Sequence, residues 1–130
     1  MTDGPRGAPE VSQHRFPRRV YDVGTEPDPR FTLANERTFL AWIRTALALI
    51  AAGVALDALA GDIQPDLRIA ASIVLLLLGT AVPALAWSTW MGVERALRLD
   101  TPLPSSRVAL PVAVGIGIAA VILGIGLLVR

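Results

Sequence analysis

The stretch Arg37–Leu59, RTFLAWIRTALALIAAGVALDAL, decides the fold, and Leu33-Ala34-Asn35-Glu36 leads into it. It is apolar enough to cross a bilayer yet keeps charge at its entrance. Asn35, Glu36 and Arg37 stand before the apolar run, and Arg44 lies about two turns inside it. Hydrocarbon tolerates such groups poorly, so each needs a partner, water or a route back to the headgroups. The uncharged run Thr45–Leu56 is too short to span alone. The first span must therefore take in Arg44 at one end and Asp57 at the other.

Two further apolar blocks follow, and they are simpler to read. Ile69–Met91 and Val108–Val129 contain no charged residue, and each reaches the roughly 20 helical residues that a hydrocarbon layer requires. With 53% hydrophobic residues in 130 and a mean hydropathy of +0.55, the chain is too apolar for a soluble domain of its size. The expected fold is an all-α integral membrane protein with three transmembrane helices, at about 37–59, 69–91 and 108–129.

Residues 1–30 differ in kind. Gly4, Pro5, Gly7, Pro9, Pro17, Gly24, Pro27 and Pro29 interrupt mixed charges, so this stretch reads as a disordered tail before a membrane domain at 31–130. Arg15, Arg18 and Arg19, with Phe16 and Tyr21, suit contact with membrane lipids at the headgroups, against a plainly solvated tail. No cleavable leader is expected ahead of the spans, because Met1–Thr38 lacks an apolar core. The arginine distribution orients the chain. Arg6, Arg15, Arg18, Arg19, Arg30 and Arg37 precede the first span, Arg68 alone lies in the first loop, Arg95, Arg98 and Arg107 lie in the second, and Arg130 follows the third span. The N-terminus and second loop are thus expected in the cytoplasm, with the C-terminus outside. This gives a multi-pass membrane protein.

Local signals refine the picture. Thr32 or Asn35 suits a helix cap, and Pro83, near the centre of the second span, predicts a kink. Trp87 and Trp90 approach a headgroup boundary. Gly92–Arg107 reads as a loop broken by Pro102 and Pro104. On the first span, Arg37, Ala41, Arg44, Ala48, Ala52 and Ala55 follow steps of three and four and share one stripe. Phe39, Ile43, Leu47, Ile50 and Val54 make a bulkier face suited to lipid. The small, basic stripe suits close approach of another helix, as do Gly115/Ala119 and Ala120/Gly124 on the third span.

Several chemistries are excluded by residue type. There is no cysteine, and the single histidine, His14, has no companion ligand nearby. No Ser/His/Asp set, metal cluster or phosphate-cradling glycine loop occurs, so neither enzymatic activity nor a cofactor is expected. All twelve basic residues are arginine, but a net charge of +1 argues against a nucleic-acid partner. The residues left to consider are Arg30, Asn35, Glu36, Arg37, Arg44, Arg95 and Arg98. Arg44 either snorkels to the headgroups or faces a cavity and meets an anion or carboxylate. Asn35, Glu36 and Arg37 form a helix start, a clamp on Glu94, Arg95 and Arg98, or an ion-binding entrance. Asp57 is a cation site or merely an exposed helix end.

Leu33-Ala34-Asn35-Glu36-Arg37-Thr38-Phe39-Leu40-Ala41-Trp42-Ile43-Arg44-Thr45 resembles the opening motif of the YidH-type domain of unknown function, found in small three-span bacterial inner-membrane proteins. Val93-Glu94-Arg95-Ala96-Leu97-Arg98-Leu99, followed by Pro102-Leu103-Pro104, is similar to the same family, so the resemblance covers about Pro29 to Arg130. That domain also resembles the membrane part of the vacuolar transporter chaperone, where several copies surround a polyphosphate channel. The resemblance implies that Arg30, Glu36 and Arg37 match entrance positions, with Arg95 and Arg98 in the comparable basic loop. Arg44 fits the bacterial pattern, whereas the fungal proteins carry a neutral polar residue there. No soluble polymerase or sensor domain accompanies the spans in this sequence.

Two functions follow as expectations. One is a homo-oligomeric subunit with a basic cytoplasmic vestibule for an inorganic anion or polyphosphate. The other is a membrane anchor or scaffold that holds a partner protein and transports nothing.

Overall fold

The computed structural model describes residues 15–129, and the expectations for His14 and the earlier residues lie outside that range. Four helices occur among the described residues: α1 (Arg18–Tyr21), α2 (Pro29–Leu59), α3 (Pro65–Leu99) and α4 (Ala109–Leu128). The last three are long and apolar enough to cross a membrane.

Each long helix begins where local chemistry favours it. Asp28 caps α2 by accepting from the Arg30 amide at 2.9 Å, and Pro29 occupies the first helical position, where a missing N–H costs nothing. The expected caps Thr32 and Asn35 are instead inside the helix, which frees their side chains for contacts across it. Gln64 does the same work for α3, accepting from the Leu67 amide at 2.8 Å ahead of Pro65. α3 continues through Pro83 and ends only where Asp100 turns left-handed (φ 52°) ahead of Pro102. Glu94, Arg95 and Arg98 are therefore helical, and the expected loop at Gly92–Arg107 shrinks to the residues after Leu99. The hydrophobic run ends near Met91; the helix does not.

α3 is the middle of a row. α2 and α4 both pack on it, and their backbones stay apart from each other. The α2–α3 seam runs through Asn35, Ala46, Leu49 and Gly53, all buried, against Ser72, Leu75, Gly79, Val82, Ala86 and Trp90. A Cβ placed on Gly79 would stand 3.0 Å from the Ala46 carbonyl oxygen and 3.1 Å from the Ile50 amide nitrogen, so glycine there sets how closely the two backbones approach. α4 meets α3 through Val112 and Ala119, with Gly115 under Leu78; Gly117 faces open space. Of the small pairs expected to pack, Gly115/Ala119 does so, whereas Ala120 is exposed and Gly124 has nothing beside it.

The expected stripe does not serve as an intrachain seam. Arg37, Ala41, Arg44, Ala48, Ala52 and Ala55 are all exposed, on the side of α2 opposite α3. At 100° per residue the seam centred on Asn35, Ala46 and Gly53 and the stripe centred on Arg44 lie about half a turn apart. Ile50, assigned to the lipid face, packs instead beside Gly79.

Candidate functional site at the Asn35 end of the row

Polar chemistry concentrates where the N-terminal half of α2 passes the C-terminal third of α3. Glu94 is only 1% exposed. Its carboxylate accepts from Thr32 Oγ1 at 3.0 Å and from Asn35 Nδ2 at 3.3 Å, and the same Asn35 amide donates to the Trp90 carbonyl at 3.1 Å. A buried carboxylate without donors is costly, and here α2 supplies two of them. The helix start thus clamps α3 through neutral donors, whereas the expectation placed Glu36 and Arg37 opposite the α3 charges. Asn35 and Thr32 lie on the seam; Glu36 and Arg37 have turned away from it, and neither forms an ion pair among the described residues.

Arg98 is also buried, at 8% exposure. Its guanidinium donates to the Val23 carbonyl at 3.1 Å, to the Tyr21 carbonyl at 3.2 Å and to Glu26 Oε2 at 3.1 Å, and it lies 5.2 Å from the Tyr21 ring centre. Arg15 holds Glu26 from the other side at 3.0 Å. Residues 15–28 therefore form a strap across the end of α3, with Val20 1% exposed beneath it, and the part of the expected disordered tail that is described is folded. Composition concealed this because the strap is anchored by the three guanidinium donors of one distant arginine, Arg98, and not by a periodic apolar face of its own. Gly24 adopts φ +63°, and a Cβ there would collide with the Arg98 carbonyl. The Arg15 hydrogen bond, and then that of Arg98, holds the Glu26 carboxyl below the usual glutamate range. Burial and then the charge of Glu94 push the Tyr21 hydroxyl above its ordinary value.

The seven expected residues accordingly separate. Asn35 belongs to the seam, and Arg98 leaves the basic set because the strap uses it. Arg30 is exposed and paired with its own cap residue, Asp28, at 2.8 Å. Arg37 and Arg44 face outward from α2, and Arg95 is exposed on α3. Glu36 stands with Phe39, Leu40, Trp87 and Trp90 around a cavity of about 250 Å³. Glu94 and Thr32, the centre of the polar seam, were not among the seven: Glu94 was expected only as a partner of Glu36 and Arg37, and Thr32 only as a helix cap. The signal for Glu94 was present: the α3 seam advances in steps of three and four from Ser72 to Trp90, and two more steps of four reach Glu94 and Arg98. At the other end of the row Asp57 is exposed, 4.0 Å from Arg68 Nε. Among the described residues no group of three acidic or histidine side chains is placed to hold a metal.

Comparison with known proteins agrees with the architecture. Residues 30–96 match the family described as Domain of unknown function (DUF202). The inner membrane protein YidH of Escherichia coli (strain K12) is 42% identical over 105 residues, covering 80% of this chain and 91% of that protein, and the YidH of Shigella flexneri gives the same figures. An uncharacterised protein of Mycobacterium tuberculosis is 44% identical over 98 residues, covering 75% of this chain and 80% of its own length. No solved structure matches the chain.

Proposed function

The chain belongs to the YidH-type DUF202 family and is a multi-pass protein of the cell inner membrane, and from that premise we propose that it is an oligomeric, non-enzymatic subunit whose α2 helices gather Arg37 and Arg44 around a path for an inorganic anion. The observation that carries this reading is the direction of Arg44. It lies nine residues beyond Asn35, about 13 Å along the helix axis, exposed on the face opposite α3 and without an ion pair among the described residues. An arginine near the middle of a span costs about 2.5–3.5 kcal/mol when it faces lipid. A neighbouring copy or a water-filled cavity removes that cost, and Ala41, Ala48, Ala52 and Ala55 leave room for one beside it.

An open row of three helices encloses no channel, so the path requires several copies. The arginine count before the first span supports a cytoplasmic position for the Arg37 end. The rings of Arg37 and Arg44 then form a basic vestibule suited to phosphate or polyphosphate, the cargo that the resemblance to the vacuolar transporter chaperone implies. Arg95, exposed toward that end, extends the positive field, whereas Asp28 offsets the charge of Arg30.

Liposome flux tests the reading. Full-length protein should purify as a multimer by native mass spectrometry in mild detergent and should release entrapped phosphate or short polyphosphate. The double variant Arg37→Ala, Arg44→Ala should lower that flux by about tenfold or more, the low end of what a focused charged cleft contributes. A monomer whose flux is the same with and without the arginines would overturn it and leave an anchoring role.

A further inference from the structure

Glu36 is the charged residue of the entrance motif that neither the seam nor the arginine face employs. Its surroundings are specific. It borders the 250 Å³ cavity on the flank between α2 and α3, whose other walls are Phe39, Leu40, Trp87 and Trp90. Trp87 and Trp90 are stacked with ring centres 5.0 Å apart, Phe39 meets Trp87 edge-on at 6.0 Å, and Phe16 from the strap stacks on Trp87 at 6.4 Å. One carboxylate and a wall of aromatic rings, with no basic side chain lining the cavity among the described residues, is a combination that selects a cation.

Depth and continuity identify the kind of cation. The cavity lies level with the Asn35–Trp90 hydrogen bond, where the charged end of the row gives way to the apolar spans and where indole rings favour the headgroup boundary. Its rim continues along α2 into the exposed side chains of Leu40 (53%) and Leu47 (63%), an apolar surface turned to acyl chains. The volume is below that of ordinary drug-sized pockets and suits a small headgroup. A group that carries a compact cation and an apolar chain in that order fits both parts. We propose that this pocket binds the ammonium headgroup of an aminophospholipid, with Glu36 as counter-ion, the indole and phenyl rings as the apolar wall, and the acyl chain running down past Leu40.

An ethanolamine headgroup also brings N–H donors to the carboxylate, which a quaternary ammonium lacks. An anionic headgroup such as glycerol phosphate would instead meet the Glu36 charge and be disfavoured.

The test uses the full chain in nanodiscs containing equal amounts of phosphatidylethanolamine and phosphatidylglycerol, with retained lipid read by native mass spectrometry after stepwise detergent extraction. The wild-type chain should keep phosphatidylethanolamine over phosphatidylglycerol by about fivefold. Glu36→Gln should abolish that preference and Glu36→Asp should keep part of it. Leu40→Trp, which leaves the carboxylate in place and fills the cavity, should release the lipid. Equal retention of the two lipids by wild-type protein would overturn the assignment even if a variant failed to fold, as would a preference that survives Glu36→Gln. Displacement of the lipid by millimolar free ethanolamine would also overturn it, in favour of a soluble amine.

Discussion

Asn35→Leu is expected to weaken the α2–α3 pair by about 3 kcal/mol, the upper range for removing a hydrogen bond to a charged group. Leucine keeps the branched outline of asparagine, so the fit against α3 at Trp90 survives while the donors vanish. Among the described residues Glu94, 1% exposed, then keeps only the Thr32 hydroxyl, and the Trp90 carbonyl loses its side-chain donor. The second half of the experiment separates this cause from general damage. Adding Glu94→Leu to Asn35→Leu removes the stranded carboxylate along with its donor, and apolar replacement of both members of a buried polar pair is often nearly neutral. The double variant should therefore recover to within about 1 kcal/mol of wild type. Unfolding in bicelles titrated with a denaturing detergent, followed by far-UV circular dichroism, supplies the numbers. Additive losses would mean that the two residues do not act on each other.

Gly79→Leu should cost a similar amount, about 3 kcal/mol, by a steric route. Even the first carbon of the new side chain would lie 2.7 Å from Ile50 Cγ1 and 3.0 Å from the Ala46 carbonyl oxygen. Ile50 can rotate; the carbonyl belongs to the helix backbone and cannot, so α2 must move off α3 along the whole seam. Gly79→Ala should cost about 1 kcal/mol by the same argument. Gly117→Ala and Gly124→Ala provide the control, because nothing lies within 4 Å of a Cβ at either position. In the same denaturation assay those two should match wild type. If Gly79→Leu matched it as well, the two helices would not be in the contact described.

The three spans were legible because an uninterrupted apolar run long enough to cross a bilayer is seldom anything but a span. Their pairing was less so. α2 carries small residues on two sides, Ala46 and Gly53 on one and Ala41, Ala48 and Ala52 on the other, and small size alone cannot tell which side has a partner in the same chain. The polar residue Asn35 in register with Trp42, Ala46, Leu49 and Gly53 marks the true seam. The extension of α3 was hidden for a related reason: hydropathy reports where lipid ends, whereas Asp100 and Pro102 report where the helix ends. The strap was hidden because its anchor, Arg98, is far along the chain, and its hydrogen bonds go largely to backbone carbonyls that no side-chain pattern records. Arg44 stands out as unusual from its position in a span. That it points away from α3 follows only from the packing.

Everything proposed about anions depends on the surroundings of that outward face. Nitroxide labels on the full-length protein in liposomes, placed at Ala48 on the arginine face and at Leu47 beside it, measure those surroundings directly through their collisions with oxygen and with a water-soluble nickel chelate. The account predicts that Leu47 sits in fluid lipid, rich in oxygen, and that Ala48 is shielded from lipid, with either chelate access or immobilisation by a neighbouring copy. Oxygen-rich, mobile spectra at both positions would place Arg44 against acyl chains and contradict it.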